Sequence, residues 1–132
     1  MKGKRNYRKE SDRLFSLLVR QSNADEEGIV TCCTCGKTGH WRKFHLGHFM
    51  PRQHQATRFD RMNTDVQCVK CNSFNEGEQY AYGKYLDITY GEGTANDMYM
   101  RSKVAYPRKE IDFKWLVAEF TDELTEKGYL CR

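Results

Sequence analysis

Two pairs of cysteines stand at the spacing that binds a tetrahedral metal ion. Cys32-x-x-Cys35 and Cys68-x-x-Cys71 each predict a turn that points two thiolates at one ion. Two such turns complete a closed structural site, so the sequence predicts one structural zinc ion held by these four residues. The pairs are separated by 32 residues, whereas a minimal zinc ribbon has about 15–20. An insert therefore lies between the two turns.

The other two cysteines are not expected to bind the metal. Cys33 lies between two better ligand candidates and should pack as a small apolar residue. Cys131, beside the C-terminus, is expected to be an unpaired thiol. Disulfides are not favoured, because nothing in the sequence points to secretion.

The insert between the cysteine pairs contains all four histidines of the chain. One of them, His48, is followed 15 residues later by Asn63, and nine residues after that by Asn72, directly behind Cys71. This order of His, Asn and Asn, with the last Asn opening a helix beside a cysteine pair, resembles the ββα-metal motif of the HNH (His-Me finger) nucleases. The phage endonuclease VII group is similar in its four cysteines and in its Cys-Asn junction.

A closer resemblance is to the phage NinG/Rap recombination family, and it covers most of residues 12–91. The motifs that carry it are Asp12-Arg13-Leu14-Phe15, Thr31-Cys32-Cys33-Thr34-Cys35-Gly36, Gly47-His48-Phe49, Arg52, Arg58-Phe59, Asn63, Gln67-Cys68, Cys71-Asn72, Gly77 and Tyr90-Gly91. The resemblance implies an α+β fold, with a zinc-stapled ββα-metal core and flanking N- and C-terminal helices. It also implies an endonuclease for branched DNA, such as Holliday junctions, acting in phage recombination.

These residue types suit the hydrolysis of a phosphodiester. An imidazole has an ordinary pKa of about 6.5, so a neutral His48 can take a proton from water near neutral pH. The side-chain carbonyl of Asn72 is the kind of hard ligand that Mg²⁺ prefers. Asn63, in a loop, would brace the strands by side-chain-to-backbone hydrogen bonds and so orient His48.

One position departs from the HNH pattern. These nucleases usually carry an Asp or His metal ligand just before the general base, and here that position is Gly47. In a strand, His45 shares a face with position 47 and could replace the ligand. Glu76, four residues after Asn72 on a predicted helix, is the other candidate, and for Mg²⁺ it is slightly favoured over His45, whose imidazole is better suited to Mn²⁺. We expect Asn72 and at least one of these two residues to hold the ion. The alternative is that both are ordinary strand and helix residues.

The charge distribution favours a polyanionic partner. Residues 28–75 carry 7 basic and 2 acidic side chains, whereas residues 76–132 carry 8 basic and 11 acidic ones. Basic residues around the proposed site can neutralise DNA phosphates without reading bases. These are Arg42, Lys43, Arg52, Arg58 and Arg61.

Two alternative functions remain open at this stage. One is an HNH nuclease that nicks or cuts ordinary duplex in the manner of a restriction enzyme, and the other is a catalytically inactive zinc-stapled DNA-binding module. Cutting a junction symmetrically needs two active sites, so a homodimer is plausible. Neither the start of the chain nor the apolar run 14–19 suits a signal or a membrane span. We therefore expect a soluble, cytoplasmic protein, in the host bacterium if it is phage-encoded.

The elements that must position these residues follow from hydrophobic periodicity. The first 23 residues predict a basic amphipathic helix carrying Leu14, Leu17 and Leu18. Residues 29–31 predict a short strand, 41–50 a β-hairpin and 51–66 an ordered loop. Three further helices are predicted. The first runs from about Cys71-Asn72 to Tyr90, and the second is opened by a Thr94/Asp97 capping box. The third covers 109–127 and carries an apolar stripe of Phe113, Leu116, Val117, Phe120 and Leu124. Together the elements fit one domain over 1–132, with a basic helix in 1–27, a zinc-bound core in 28–91 and helices in 92–132.

Overall fold

The computed structural model describes residues 4–132. Across that range the chain mixes α and β structure, with two small antiparallel sheets of two strands each. Its described residues form two compact units. One contains the chain up to Leu18 together with Pro107–Arg132, and the other is Val19–Tyr106. The assignment of the whole chain to one domain stays a prediction.

The first unit is built from two helices with apolar stripes. Helix α1 spans Tyr7–Ser22, and helix α5 spans Glu110–Glu126. The rings of Phe15 and Phe120 pack with their centroids 5.2 Å apart. The predicted apolar stripes of both helices are buried, with Leu116 half-buried. The part of the predicted N-terminal helix that covers residues 1–3 lies outside the described residues.

The second unit contains both sheets. Strands β1 (Ile29–Thr31) and β2 (Thr38–His40) pair with each other, and the first cysteine pair lies in the turn between them. Strands β3 (His45–His48) and β4 (Thr64–Gln67) form the other sheet, in which His45 lies opposite Gln67 and His48 opposite Thr64. Because neighbouring strand residues point to opposite faces, His45 and Gly47 share one face of this sheet.

The β-hairpin predicted over 41–50 is wrong. Trp41–Lys43 forms a short 3₁₀-helix, and the partner of β3 is β4, which begins only at Thr64. The loop predicted over 51–66 also contains a short helix, α2 (Gln55–Arg58), and the start of β4. Alternating residues identify a strand but not its partner, because pairing depends on contacts that are distant in sequence.

The helix predicted from Cys71 to Tyr90 is interrupted. Lys70–Phe74 forms a turn of π-helix, and helix α3 begins only at Gln79 and ends at Tyr90. Between them Glu76, Gly77 and Glu78 all have positive φ, at 52°, 87° and 48°. A right-handed helix cannot pass through left-handed residues, so the chain turns there.

Helix α4 spans Thr94–Ser102 and does not begin with the predicted capping box. Its N-cap is Gly93, at φ 95°, and the Thr94 hydroxyl donates a hydrogen bond to the carbonyl of Gly91 instead. Phe49, Met50, Tyr82, Leu86 and Met98 form a buried cluster that joins the end of β3 to helices α3 and α4. No helix in the described part of the chain is long and apolar enough to cross a bilayer.

Candidate functional site

The four cysteines of the two Cys-x-x-Cys pairs converge. The sulfur atoms of Cys32, Cys35, Cys68 and Cys71 all lie within 4.8 Å of one another. Those of Cys35 and Cys68 are 3.7 Å apart, close to the edge of about 3.8 Å in a tetrahedron with zinc–sulfur bonds of about 2.3 Å. The cluster therefore fits one zinc ion, which it could hold as a closed structural site.

The electrostatics of the cluster also suit a cation. Burial opposes ionisation of Cys32, but hydrogen bonds with Thr34 and neighbouring backbone groups outweigh it and lower the pKa of this thiol to about 6. Burial and the adjacent sulfur atoms raise the pKa of Cys71 to about 12. Four thiols this close cannot all ionise unless a positive charge offsets their repulsion, and a metal ion supplies that charge.

The elements around the cluster explain why it forms. The N–H of Cys33 donates to the carbonyl of Val66 over 3.0 Å, which joins the first cysteine turn to β4. Cys68 directly follows β4, and Cys71 lies in the π-helix. Cys33 is half-buried against the apolar cluster that contains Phe49 and Tyr82. Burial is the main cause that raises the pKa of its thiol well above the ordinary range, and the negative charge of Asp65 raises it further. Cys33 thus packs as an uncharged side chain, while Cys131 is an exposed free thiol.

His48 ends strand β3, and a hydrogen bond with the backbone helps to orient its ring. The ring atom Nε2 lies 3.0 Å from the backbone carbonyl of Arg58, the last residue of α2. A carbonyl oxygen only accepts hydrogen bonds, so Nε2 carries the proton in this contact. The neutral ring then has its lone pair on Nδ1, the atom that can accept a proton.

Asn63 is fully buried beside His48 and makes the type of hydrogen bonds that a bracing residue needs. Its Oδ1 accepts from the N–H of Met50 at 2.8 Å, and its Nδ2 donates to the carbonyls of Met50 at 3.0 Å and Thr57 at 3.1 Å. These bonds tie the chain that leaves β3 to the helix α2 that contacts His48. An effect of Asn63 on catalysis stays a prediction.

His45 and Asn72, far apart in sequence, are in contact. Nδ2 of Asn72 lies 3.0 Å from Nδ1 of His45. A half-turn of the carboxamide would place the Asn72 oxygen there instead. The two predicted ligands are thus adjacent, and a cation held between them stays a prediction.

The premise that paired Glu76 with Asn72 is wrong. The sequence predicts both residues on one α-helix, four positions apart. In the structure the π-helix ends at Phe74, and Glu76 lies in the left-handed turn that follows. Glu76 is exposed, and the i, i+4 relationship does not hold there.

Gly47 is a glycine because another side chain occupies its space. A Cβ atom at position 47 would lie 2.0 Å from Oε1 of Gln67. Gln67 is fully buried, and its Nε2 donates to Oγ1 of Thr34 at 3.1 Å and to the carbonyl of Gly77 at 2.9 Å. These two acceptors fix the amide so that its oxygen faces Gly47, where it has no hydrogen-bond partner among residues 4–132.

The five predicted DNA-binding residues divide by exposure. Arg42, Lys43, Arg52 and Arg61 are exposed. Arg58 is only 5% exposed, and its Nη1 donates to the carbonyl of Arg52 over 3.1 Å. The Arg58 side chain thus supports the loop, and its predicted phosphate contact is the least accessible of the five.

Sequence reasoning missed several residues that shape this region. Gln67 belongs to one of the family motifs, but the sequence carries no signal that its side chain lies against Gly47, because the pairing of β3 with β4 is not local. Tyr82, fully buried, donates from its hydroxyl to the carbonyl of Gly47 at 3.0 Å. Asp65, opposite Gly47, accepts from the hydroxyl of Tyr85 at 2.6 Å, and burial raises the pKa of this carboxyl.

The chain was compared with known proteins in three ways. A search of curated proteins and a search of solved structures found no match. The family model described as "Bacteriophage Lambda NinG protein" matches residues 1–117, which is most of the 132-residue chain. The protein therefore belongs to the bacteriophage lambda NinG family.

Proposed function

We propose that this protein is a metal-dependent DNA endonuclease that cuts branched recombination intermediates, with His48 as general base. Membership in the NinG family suggests a function related to phage recombination. The observation that carries the enzymatic part is the hydrogen bond between Nε2 of His48 and the carbonyl of Arg58. It leaves Nδ1 of a neutral ring as the proton acceptor, which a general base requires.

The order of elements supports a ββα-metal core. Antiparallel strands β3 and β4 are followed by the π-helix and then by α3, with the proposed base on the first strand and Asn72 in the π-helix. The zinc-binding cysteines Cys68 and Cys71 flank the junction between the second strand and this helical segment. A zinc ion there would anchor the helical side of the site to β4.

Asn72 and His45 would hold the catalytic Mg²⁺ or Mn²⁺. Such an ion supplies charge relief at the phosphoryl oxygens and at the departing 3′-oxygen. His45 contributes an imidazole nitrogen, which is better suited to Mn²⁺, and Asn72 contributes a carbonyl oxygen, which suits Mg²⁺. His48 takes the proton of the attacking water on Nδ1, while the Arg58 carbonyl keeps the ring in place.

A cleavage assay tests this proposal. The purified protein is incubated with Mg²⁺ or Mn²⁺ and with three labelled DNAs of matched sequence: a four-way junction, a flap and a linear duplex. We expect the junction or the flap to be cut faster than the linear duplex. Equal cutting of all three would favour a nuclease for ordinary duplex, and binding without any cutting would favour an inactive DNA-binding module. Sedimentation of the protein–junction complex would show whether two copies bind one junction.

A further inference from the structure

A cavity of about 370 Å³ lies beside the second cysteine pair, and none of the residues proposed for catalysis lines it. Lys37, Lys43 and Lys70 line it, together with the apolar surface of Gly39, Phe44 and Val69. None of its described lining residues is acidic. Its volume is at the lower end of the range of about 300–1,000 Å³ that is typical of small-molecule sites.

The three lysines reach the cavity from three separate elements. Lys37 lies in the turn between the first cysteine pair and β2, Lys43 ends the 3₁₀-helix, and Lys70 lies inside the second cysteine pair. All three are exposed. Two of them are therefore attached to the two cysteine turns, so a zinc ion held by the cluster would fix these two sides of the cavity.

The apolar wall of the cavity is closely packed. Phe44 is 4% exposed, and a Cβ atom at position 39 would lie 2.8 Å from its ring. Only a glycine fits at position 39 without displacing Phe44. The cavity therefore combines a closely packed apolar wall with three lysines in its lining.

We propose that this cavity, which is lined by residues other than those proposed for catalysis, binds one nucleotide of a DNA strand. The phosphate lies among the three lysines, and the sugar and base lie against Gly39, Phe44 and Val69. This inference rests on the proposed function, since it takes DNA to be the substrate. A bare phosphate would use the lysines but leave the apolar wall empty, whereas a nucleotide of branched DNA matches both parts.

The test measures DNA binding in EDTA, where cleavage does not interfere, with a fluorescein-labelled four-way junction. The cavity variant is Lys37→Ala/Lys43→Ala/Lys70→Ala. The control variant, Lys84→Ala/Lys103→Ala/Lys114→Ala, removes the same charge from exposed lysines outside the cavity. Zinc content is measured in both, because the cavity variant must keep the cysteine cluster intact.

We expect the cavity variant to bind the junction at least about 10-fold more weakly than the wild-type protein. The negative slope of log K for DNA binding against log salt should become shallower by about 2–3. The control variant should change affinity less than about 3-fold. Equal losses in the two variants, or no loss in the cavity variant, would overturn the proposal. Cleavage of the junction by the wild-type protein under Mg²⁺ would in that case leave the proposed nuclease function standing.

The nucleotide part of the proposal has its own readout. In a ¹⁵N–¹H NMR titration of the wild-type protein with thymidine 5′-monophosphate, the amides of Gly39, Phe44 and Val69 should shift. Titration with inorganic phosphate should shift the amides of the lysines and leave those three unchanged. Identical shifts with both probes would show that the cavity recognises phosphate alone and would overturn the role of the apolar wall.

Discussion

At the scale of single residues, the chemistry of the site depends on which side-chain atoms already make hydrogen bonds within the protein. The Arg58 carbonyl holds Nε2 of His48, so the proposed chemistry must use Nδ1. Asn63 uses both ends of its carboxamide on the backbone and keeps none for a substrate. His45 and Asn72 are within hydrogen-bond distance of each other, and they are the pair proposed to hold a cation.

Replacing His48 tests the general base. His48→Ala should keep its zinc and its DNA affinity but cleave at least about 100-fold more slowly, as expected for the loss of a general base. The measurement is the single-turnover cleavage rate under saturating metal. His54→Ala is a matched control, because His54 precedes α2 and makes no side-chain cap there. Cleavage by His48→Ala at the rate of the control would remove His48 from the mechanism.

A metal titration tests the cation site. His45→Ala and Asn72→Ala should each raise the Mg²⁺ or Mn²⁺ concentration needed for half-maximal cleavage, while DNA affinity in EDTA stays the same. Glu76→Ala should leave that concentration unchanged, because Glu76 lies in an exposed left-handed turn. A shift in Glu76→Ala, with none in the other two variants, would place the ion at the turn and contradict our assignment.

At the scale of elements, strands β3 and β4 are fitted to each other where Gly47 leaves room for the side chain of Gln67. Gln67 of β4 occupies the place of a side chain at position 47 of β3 and also holds the first cysteine turn and the turn before α3. The cysteine cluster then links the β1–β2 turn to the end of β4. The site is therefore held by contacts between elements, each of which is short.

The fit between Gly47 and Gln67 can be tested by a double-mutant cycle. Gly47→Ala should lower the free energy of unfolding by about 1–3 kcal/mol, because its Cβ would overlap Gln67. In the Gln67→Ala background the same change should cost much less. Gly83→Ala is the control: it lies in α3, where the new Cβ would make ordinary contacts of 3.4 Å or more, and it should stabilise by about 0.5–1 kcal/mol. Urea unfolding measures all four variants, and equal costs of Gly47→Ala in the two backgrounds would exclude the overlap.

Substitutions at the cysteines test the zinc staple. Cys68→Ser should lower the zinc content and unfold the protein, because this residue joins the ion to the end of β4. Cys33→Ser and Cys131→Ser should keep one zinc per chain. Metal analysis and circular dichroism provide the readouts. If Cys33→Ser lost as much zinc as Cys32→Ser, the first pair of ligands would be wrongly assigned.

At the scale of the whole molecule, positive charge is concentrated in the segment that forms the sheets and the cysteine cluster. Residues 28–75 carry 7 basic and 2 acidic side chains, and four of the five predicted DNA-binding residues there are exposed. Phosphates held by such residues release counterions when DNA binds. Affinity should therefore depend on salt more than on sequence.

Salt titration tests this expectation. With about four to six phosphate contacts, log K should fall against log salt with a slope of about −4 to −5, whatever the DNA sequence. The Arg52→Ala/Arg61→Ala variant should make that negative slope shallower by about 2. The Arg58→Ala variant should mainly lower the thermal stability, because the side chain of Arg58 is buried. An affinity that is independent of salt would contradict the interface.

Several features could be predicted from the sequence because they depend on local chemistry. The cysteine spacing identified the four thiols that converge. The apolar stripes of α1 and α5 are buried as their periodicity indicates. The family resemblance, based on short motifs spread over residues 12–91, is confirmed by a family model that matches residues 1–117.

Other features were decided only by the tertiary structure. The pairing of β3 with β4 and the contact of His45 with Asn72 join residues that are 16 to 27 positions apart in the chain. The break before α3 follows from three consecutive left-handed residues, two of which are glutamates with no local signal for that conformation. Gly47 is explained only by the buried side chain of Gln67 across the sheet. Local patterns identify which residues can form a strand, a helix or a ligand set, but the packing of distant segments determines which of them meet.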